Sequence, residues 1–202
     1  MGGRPAAGGG SHRHGLRRAS TRVGRGYVTL PNPGTNGRLF WGAATSVVIL
    51  DYVTKLLAEK HLFPPHVPHR VIGNVVRLTL AYNPGAAFSM SLGAASRIVF
   101  GAFALVALVI LWRLYRGSTA DERLKVLALG LAWGGAAGNL IDRVRSKPGV
   151  VDFIDIGVGN VRFWTFNVAD SAVTVGAVLL GWVLLQEDRR QRQRESPPPT
   201  PP

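Results

Sequence analysis

The sequence predicts a mainly α-helical, polytopic membrane protein with four spans, and three observations lead there. Four long runs contain no charged residue: 39–50, 98–112, 126–141 and 172–186. Extended through its flanking residues, each reaches the roughly 17–20 residues needed to cross a hydrocarbon core of about 30 Å. The basic residues behind the net charge of +13 crowd into the tails and short connections. That distribution argues against a nucleic-acid surface and for loops bordering a bilayer. Lastly, the few polar residues inside the spans gather at one membrane level.

The elements follow in order. Residues 1–37 are Gly- and Arg-rich without periodicity, which predicts a disordered basic tail. They have no obvious form of a cleaved signal peptide, because the apolar run that follows is too long and no small-residue site closes it. The first span continues from Leu39 through Asp51 to Leu57. Residues 75–82 alternate Arg77 and Thr79 on one face with Val76, Leu78 and Leu80 on the other, the pattern of a strand. Asn83-Pro84-Gly85 closes it with turn chemistry. The second span covers 98–112. The third carries glycines at 130, 134 and 138, a spacing that lets helices approach closely in lipid. The fourth begins at Val168, with Asn167 as its N-cap. The expected membrane domain is thus 38–187, and 188–202 reads as an Arg- and then Pro-rich solvated tail.

With four spans the two tails share a side. That side and the loop between spans two and three hold 15 of the 24 Lys and Arg residues, so the positive-inside rule places both termini in the cytoplasm. Spans one and three then run outward and span four runs inward. Asp51 and Lys55, then Asn139, Asp142 and Arg143, then Asn167 and Asp170 all reach the extracytoplasmic boundary. An ionisable group at membrane depth is costly enough to read as functional by default.

Each motif also has a plain structural reading. Asp51 and Lys55 are an i,i+4 pair, expected to neutralise each other with the lysine snorkelling outward. Asn83 and the Gly85 backbone are an ordinary turn, or groups offered to a peptide. Asp170 at the third position of a helix is a favoured anion near free amides. Against that reading stands Asp152, in the apolar run Gly149-Val150-Val151-Asp152-Phe153-Ile154 where no cap is needed. Asp155, three residues on, is a second candidate from the same segment, and Asp142 is a rival whose neighbour Arg143 offers it an ion pair. Two carboxylates facing each other share one proton and titrate as a unit. The ionised member can then take a proton from water while the protonated one polarises a carbonyl. The helix-terminus argument nominates Asp170 as the ionised member, and the roles can be exchanged.

Other catalytic classes fit less well. The chain has no cysteine, which removes thiol nucleophiles, disulfides and cysteine metal sites. Its five histidines lie in the tail (His12, His14) and one loop (His61, His66, His69), with no His-Glu-x-x-His. That pattern argues against an intramembrane metalloprotease and a histidine-dependent serine protease.

Together these blocks resemble the lipoprotein signal peptidases (signal peptidase II). They are Asp51-x-x-x-Lys55, Asn83-x-Gly85-Ala86-Ala87-Phe88-Ser89, Gly134-Gly135 leading to Gly138-Asn139-Leu140-Ile141-Asp142-Arg143, Val150-Val151-Asp152-Phe153 and Phe166-Asn167-Val168-Ala169-Asp170-Ser171. The likeness runs from about Leu39 to Leu185. It implies a four-helix enzyme of the bacterial cell membrane, both termini cytoplasmic, with a small extracytoplasmic β-sheet cradling the substrate. It implies removal of the signal peptide from prolipoproteins just before a diacylglyceryl-modified cysteine. By motif position, Asp152 and Asp170 are the catalytic pair, and Asn83, Gly85, Asn139, Arg143, Asn167 and Ala169 line or support the pocket. Asp51, Lys55 and Asp142 are read as structural polar residues. The expected chemistry uses no metal and no cofactor; the expected partners are lipidated precursors and membrane lipid, with no nucleic acid, and the protein is read as a monomer. The alternatives are an ion- or proton-coupled transporter using the carboxylates as a relay, or a membrane scaffold. Four spans without an evident inverted repeat count against the transporter.

Overall fold

A backbone in lipid has no water to satisfy its amides, so apolar runs of this length close their hydrogen bonds internally as helices. The computed structural model of the chain describes residues 33–85 and 95–195, and it contains four such helices. They are α1 (Pro33–His61), α2 (Ser96–Arg116), α3 (Arg123–Arg145) and α4 (Val168–Glu195). α1 and α4 run past the residue 38 and 187 bounds of the expected membrane domain. The first 32 residues, the Pro-rich end, and Ala86, Ala87, Phe88 and Ser89 of the second motif lie outside the described residues. Pro33 occupies the first helical position, where its missing N–H costs nothing. α3 ends where the chain turns extended at Ser146, ahead of Pro148.

α3 is the central helix and packs against α1, α2 and α4. Its glycines make this possible. A Cβ at Gly134 would stand 2.7 Å from the carbonyl oxygen of Ala44 on α1, and one at Gly135 would run into the carbonyl oxygen of Ala169 on α4. The expectation that this stripe serves packing agrees with that geometry. At the end of the bundle away from the sheet, Phe40 is fully buried and stacks on Tyr115 with ring centroids 4.1 Å apart. The outward faces are apolar: on α2, Ile98 is 75% and Phe103 63% exposed, far more apolar surface than water tolerates. The chain is a multi-pass membrane protein with a small sheet, as the sequence predicts.

The sheet is antiparallel, in the order β1 (His69–Ile72), β2 (Val76–Asn83), β3 (Val150–Val158), β4 (Val161–Arg162). β2 and β3 pair from Val76 with Ile156 to Asn83 with Val150, with a register shift between Leu78 and Ala81. Leu80, Val151 and Phe153 pack on Ala58 and Leu62 from the end of α1, which fixes the sheet to the bundle. β1 and β4, absent from the sequence reading, are short strands with little buried surface.

The close approach of α3 to α4 carries a test. Gly135→Ala is expected to cost about 1–3 kcal/mol through overpacking against Ala169. Gly181→Ala, where nothing lies within 4 Å of the new methyl, should be neutral or stabilising. Thermal unfolding of both variants in detergent measures the contrast.

Candidate active site

A lysine with no exposed surface organises the end of the bundle that carries the sheet. Lys55 on α1 lies 2.7 Å from Asp51 Oδ2 and 2.8 Å from Asp142 Oδ2, all three side chains at most 1% exposed. Its Nζ also donates to Asn139 Oδ1 at 3.0 Å. An ammonium has three donors, and all three are used. The snorkelling expected from the sequence is therefore corrected. The side chain turns inward because two carboxylates, one from α1 and one from α3, stand ready to compensate its desolvation.

Both carboxylates reach on to the backbone. Asp51 Oδ1 accepts the N–H of Ala169 at 2.9 Å, and Asp142 Oδ2 accepts the N–H of Val151 at 3.1 Å. Ala169 precedes Asp170 and Val151 precedes Asp152. The buried ion cluster thus grips the chain one residue before each aspartate. Asp142 Oδ1 takes Arg145 Nε at 2.8 Å, and Arg145 extends to Glu59 at 3.3 Å. Of the partners the sequence offers Arg143, which include lipid phosphates and a substrate carbonyl, Asp142 is thereby taken by Arg145 instead. Adjacent helical residues point about 100° apart, whereas i,i+3 residues share a face.

Asp152 and Asp170 meet across two asparagines. Asn167, wholly buried, donates from Nδ2 to Asp152 Oδ1 at 2.7 Å. Its N–H donates to Asp170 Oδ2 at 3.2 Å, while its Oδ1 accepts the N–H of Asp170 at 2.9 Å. That reciprocal pair is a capping box, so Asp170 is the helix cap its position predicted while also facing the site. Asn139 Nδ2 donates to Asp170 Oδ1 at 2.8 Å. Because Lys55 can only donate, it holds Asn139 Oδ1 toward itself and turns the amide NH2 to Asp170. Asp152 is 4% exposed, and burial, then the charge of Asp170, pushes its carboxyl up to about 7 against the pull of Asn167, Asn83 and Lys55.

The remaining expected residues fall around this pair. Asn83, directly across from Val150 on β2, hydrogen-bonds Asp152, and its Oδ1 accepts the N–H of Gly85 at 3.0 Å. Gly85 has φ +103°, and a Cβ there would collide with the Phe100 ring. Arg143 donates to the Asn139 carbonyl at 2.9 Å and lies 6.0 Å from the Phe100 ring, without an ion pair among the described residues. Asp155 is not part of the group. It lies farther along β3, across from Arg77 where Asp152 is across from Ala81, and Arg162 and the Thr79 hydroxyl bind it there. Two contributors went unforeseen. Arg145 was legible as the i,i+3 partner of Asp142, whereas Arg97, which caps α3 at the carbonyls of Arg143 and Val144, gives no local signal.

The chain has close relatives. The family described as Signal peptidase (SPase) II matches residues 43–186. A lipoprotein signal peptidase of Mycobacterium tuberculosis is 39% identical over 163 residues, covering 78% of this chain and 76% of the relative. One from Moorella thermoacetica is 41% identical over 143 residues, covering 70% of this chain and 89% of that protein. A solved bacterial membrane enzyme, crystallised by the in meso method, superposes with TM-score 0.67 at 29% identity, covering 83% of this chain and 97% of that one.

The lysine cluster is testable apart from any activity. Lys55→Met leaves two buried carboxylates facing each other, and is expected to destabilise the protein by about 3–5 kcal/mol. Denaturation in detergent micelles should show that loss; wild-type stability would mean the cluster is not buried as described.

Proposed function

The chain belongs to the signal peptidase II family of bacterial multi-pass membrane peptidases, and from that premise we propose that it is an aspartic endopeptidase acting through Asp152 and Asp170. Its substrates are prolipoproteins, and the bond cut is the one before the diacylglyceryl-modified cysteine. The observation that carries this reading is that Asn167 touches both carboxylates at once, one by its side chain and one by its backbone. No ion pair to either aspartate is present among the described residues, so neither is committed to a structural cation.

Chemically, the pair divides its labour by environment. Asp170 sits at the start of α4 and accepts from the Asn167 N–H and the Asn139 amide, and we assign it the role of base. Asp152 lies desolvated against that anion and keeps its proton to about pH 7. In this reading Asp170 takes a proton from the attacking water as the Asp152 carboxyl hydrogen-bonds the scissile carbonyl. The tetrahedral intermediate then collapses as the amine leaves with a proton. Arg143 is left available for a substrate carbonyl. The proposed orientation puts both termini in the cytoplasm and the dyad at the extracytoplasmic boundary. There a lipid-anchored precursor brings its bond to the right depth by lateral diffusion. A relay transporter needs none of this peptide-binding apparatus, and membership of a peptidase family speaks against it.

Purified protein given a lipidated prolipoprotein should release the signal peptide with or without a chelator. Asp152→Asn and Asp170→Asn should each stay folded and lower kcat by at least about 10²–10⁴-fold. Normal processing by either variant would refute the dyad.

The pH dependence follows from the raised carboxyl. Below about 7 Asp152 holds its proton and the pair is competent; above it that proton is lost. The logarithm of kcat/KM should fall as pH rises through that region. A profile flat well into the alkaline range would remove Asp152 as the acid.

A further inference from the structure

One part of the fold is unaccounted for by catalysis: the far end of the sheet is strongly apolar and bare. Val158 is 73% exposed, Val161 81%, Phe163 60% and Trp164 73%, with Ile156 beside them at 38%. The positions are ordered rather than scattered. Val158 pairs with Val161, and the Phe163 N–H donates to the Ile156 carbonyl at 2.8 Å. Side chains alternate along a strand, so Ile156, Val158, Val161 and Phe163 occupy one face, and Gly157 and Arg162 the other.

The strand that carries this face also carries the site. Alternation breaks just after Asp152, where the N–H groups of Phe153 and Ile154 both donate to the Phe166 carbonyl, so Ile154 joins Val151 and Phe153 against Ala58 and Leu62. The face that packs on the end of the bundle at Ile154 is therefore the face that continues through Ile156 to Val158. Exposure climbs along the strand from 8% at Phe153 to 73% at Val158. What lies beside the helices at that level is the outer surface of the bilayer.

Chain connectivity keeps the patch there. Four residue steps separate Trp164 from Val168, where the membrane-spanning part of α4 begins, and they reach at most about 14 Å. Phe163 packs on Trp164 at 5.3 Å and on Phe166 at 5.9 Å between ring centroids, forming an aromatic group directly before that helix. Aromatic rings are the side chains that settle at the membrane–water boundary. Charge agrees: residues 63–85 and 146–167 carry Arg70, Arg77, Lys147 and Arg162 against Asp152 and Asp155 alone.

We propose that Ile156, Val158, Val161, Phe163 and Trp164 form a membrane-surface anchor, immersed in the outer boundary of the bilayer beside the helices, that holds the sheet flat and fixes the depth of β3. The occupant is phospholipid, not a second copy of the chain and not the precursor peptide. The inference stands on the exposed face alone and is separable from the peptidase reading.

The absence of cysteine makes the test direct. Single nitroxide labels at Val158→Cys and Val161→Cys, in full-length protein in phosphatidylcholine–phosphatidylglycerol vesicles without substrate, report access to oxygen and to a water-soluble nickel complex. Val178, exposed on α4, gives the lipid reference and Gln193 the water reference. Both sheet labels should show oxygen-to-nickel ratios shifted toward Val178. Ratios matching Gln193 would overturn the anchor, and so would protection from both reagents, the mark of a covering protein chain. A label-free arm compares wild type with Trp164→Phe: the lost fluorescence should be the part quenched by lipids brominated near the headgroup. Loss of an unquenched component instead would equally defeat the proposal.

Discussion

Everything at the sheet end of this protein depends on a lysine removed from water. Lys55 draws together α1 through Asp51 and α3 through Asp142 and Asn139. The carboxylates it holds then bind β3 at Val151 and α4 at Ala169. Two cations, Lys55 and Arg145, compensate the two buried anions, Asp51 and Asp142, and Arg145 reaches a third carboxylate, Glu59, at the cluster's more exposed edge. Such a cluster gives little net stability, because the desolvation of its members consumes most of the attraction. What it supplies is direction. Apolar packing alone would let β3 and the start of α4 slide by fractions of a residue, while a hydrogen bond to a fixed carboxylate does not.

That direction passes outward through asparagines rather than through charges. Asn139 has an amide whose two ends could be exchanged, and Lys55 settles which end faces which way. The consequence is a donor aimed at Asp170. Asn167 has a similar double duty: it begins α4 with a capping box and shares its side-chain N–H groups among Asp152, Asn139 Oδ1 and the Val151 carbonyl. A helix cap is normally a local device. Here the cap residue is also the bridge between two aspartates, which is why the structural and functional readings of Asn167 and Asp170 do not compete.

Most of the framework was legible because membrane depth is a one-dimensional constraint. Hydropathy placed four spans, charge bias proposed their direction, and the level shared by Asp51, Asn139, Asp142 and Asp170 followed from counting residues. Direction around a helix axis was less accessible. Lys55 could have snorkelled or turned inward, and only a second carboxylate from another helix decides it. Asp142 had two arginines within three residues; helix geometry favours Arg145, but the adjacent Arg143 reads more loudly in the sequence. β1 and β4 escaped notice because strands of four and two residues with exposed side chains leave no alternating pattern to find.

The same strand geometry decides more than one question at once. On β3, the irregularity at Phe153 and Ile154, whose N–H groups share the Phe166 carbonyl, gathers Val151, Phe153 and Ile154 against Ala58 and Leu62, while Asp152 meets Asn167 and Asp155 meets Arg162. A slip of one residue in the β2–β3 register would exchange the faces. It would take Val151 and Phe153 off α1, withdraw Asp152 from Asn167, and turn over the apolar end of the hairpin. Such an error is opposed from both ends. Asp142 holds Val151 at the inner end, and the tendency of Val158, Val161 and Phe163 to leave water acts at the outer end. Placement of the proposed catalytic carboxylate and contact of the hairpin with the bilayer are two results of a single register. Membrane contact on this strand therefore bears on where Asp152 points, although Val158 is six residues away.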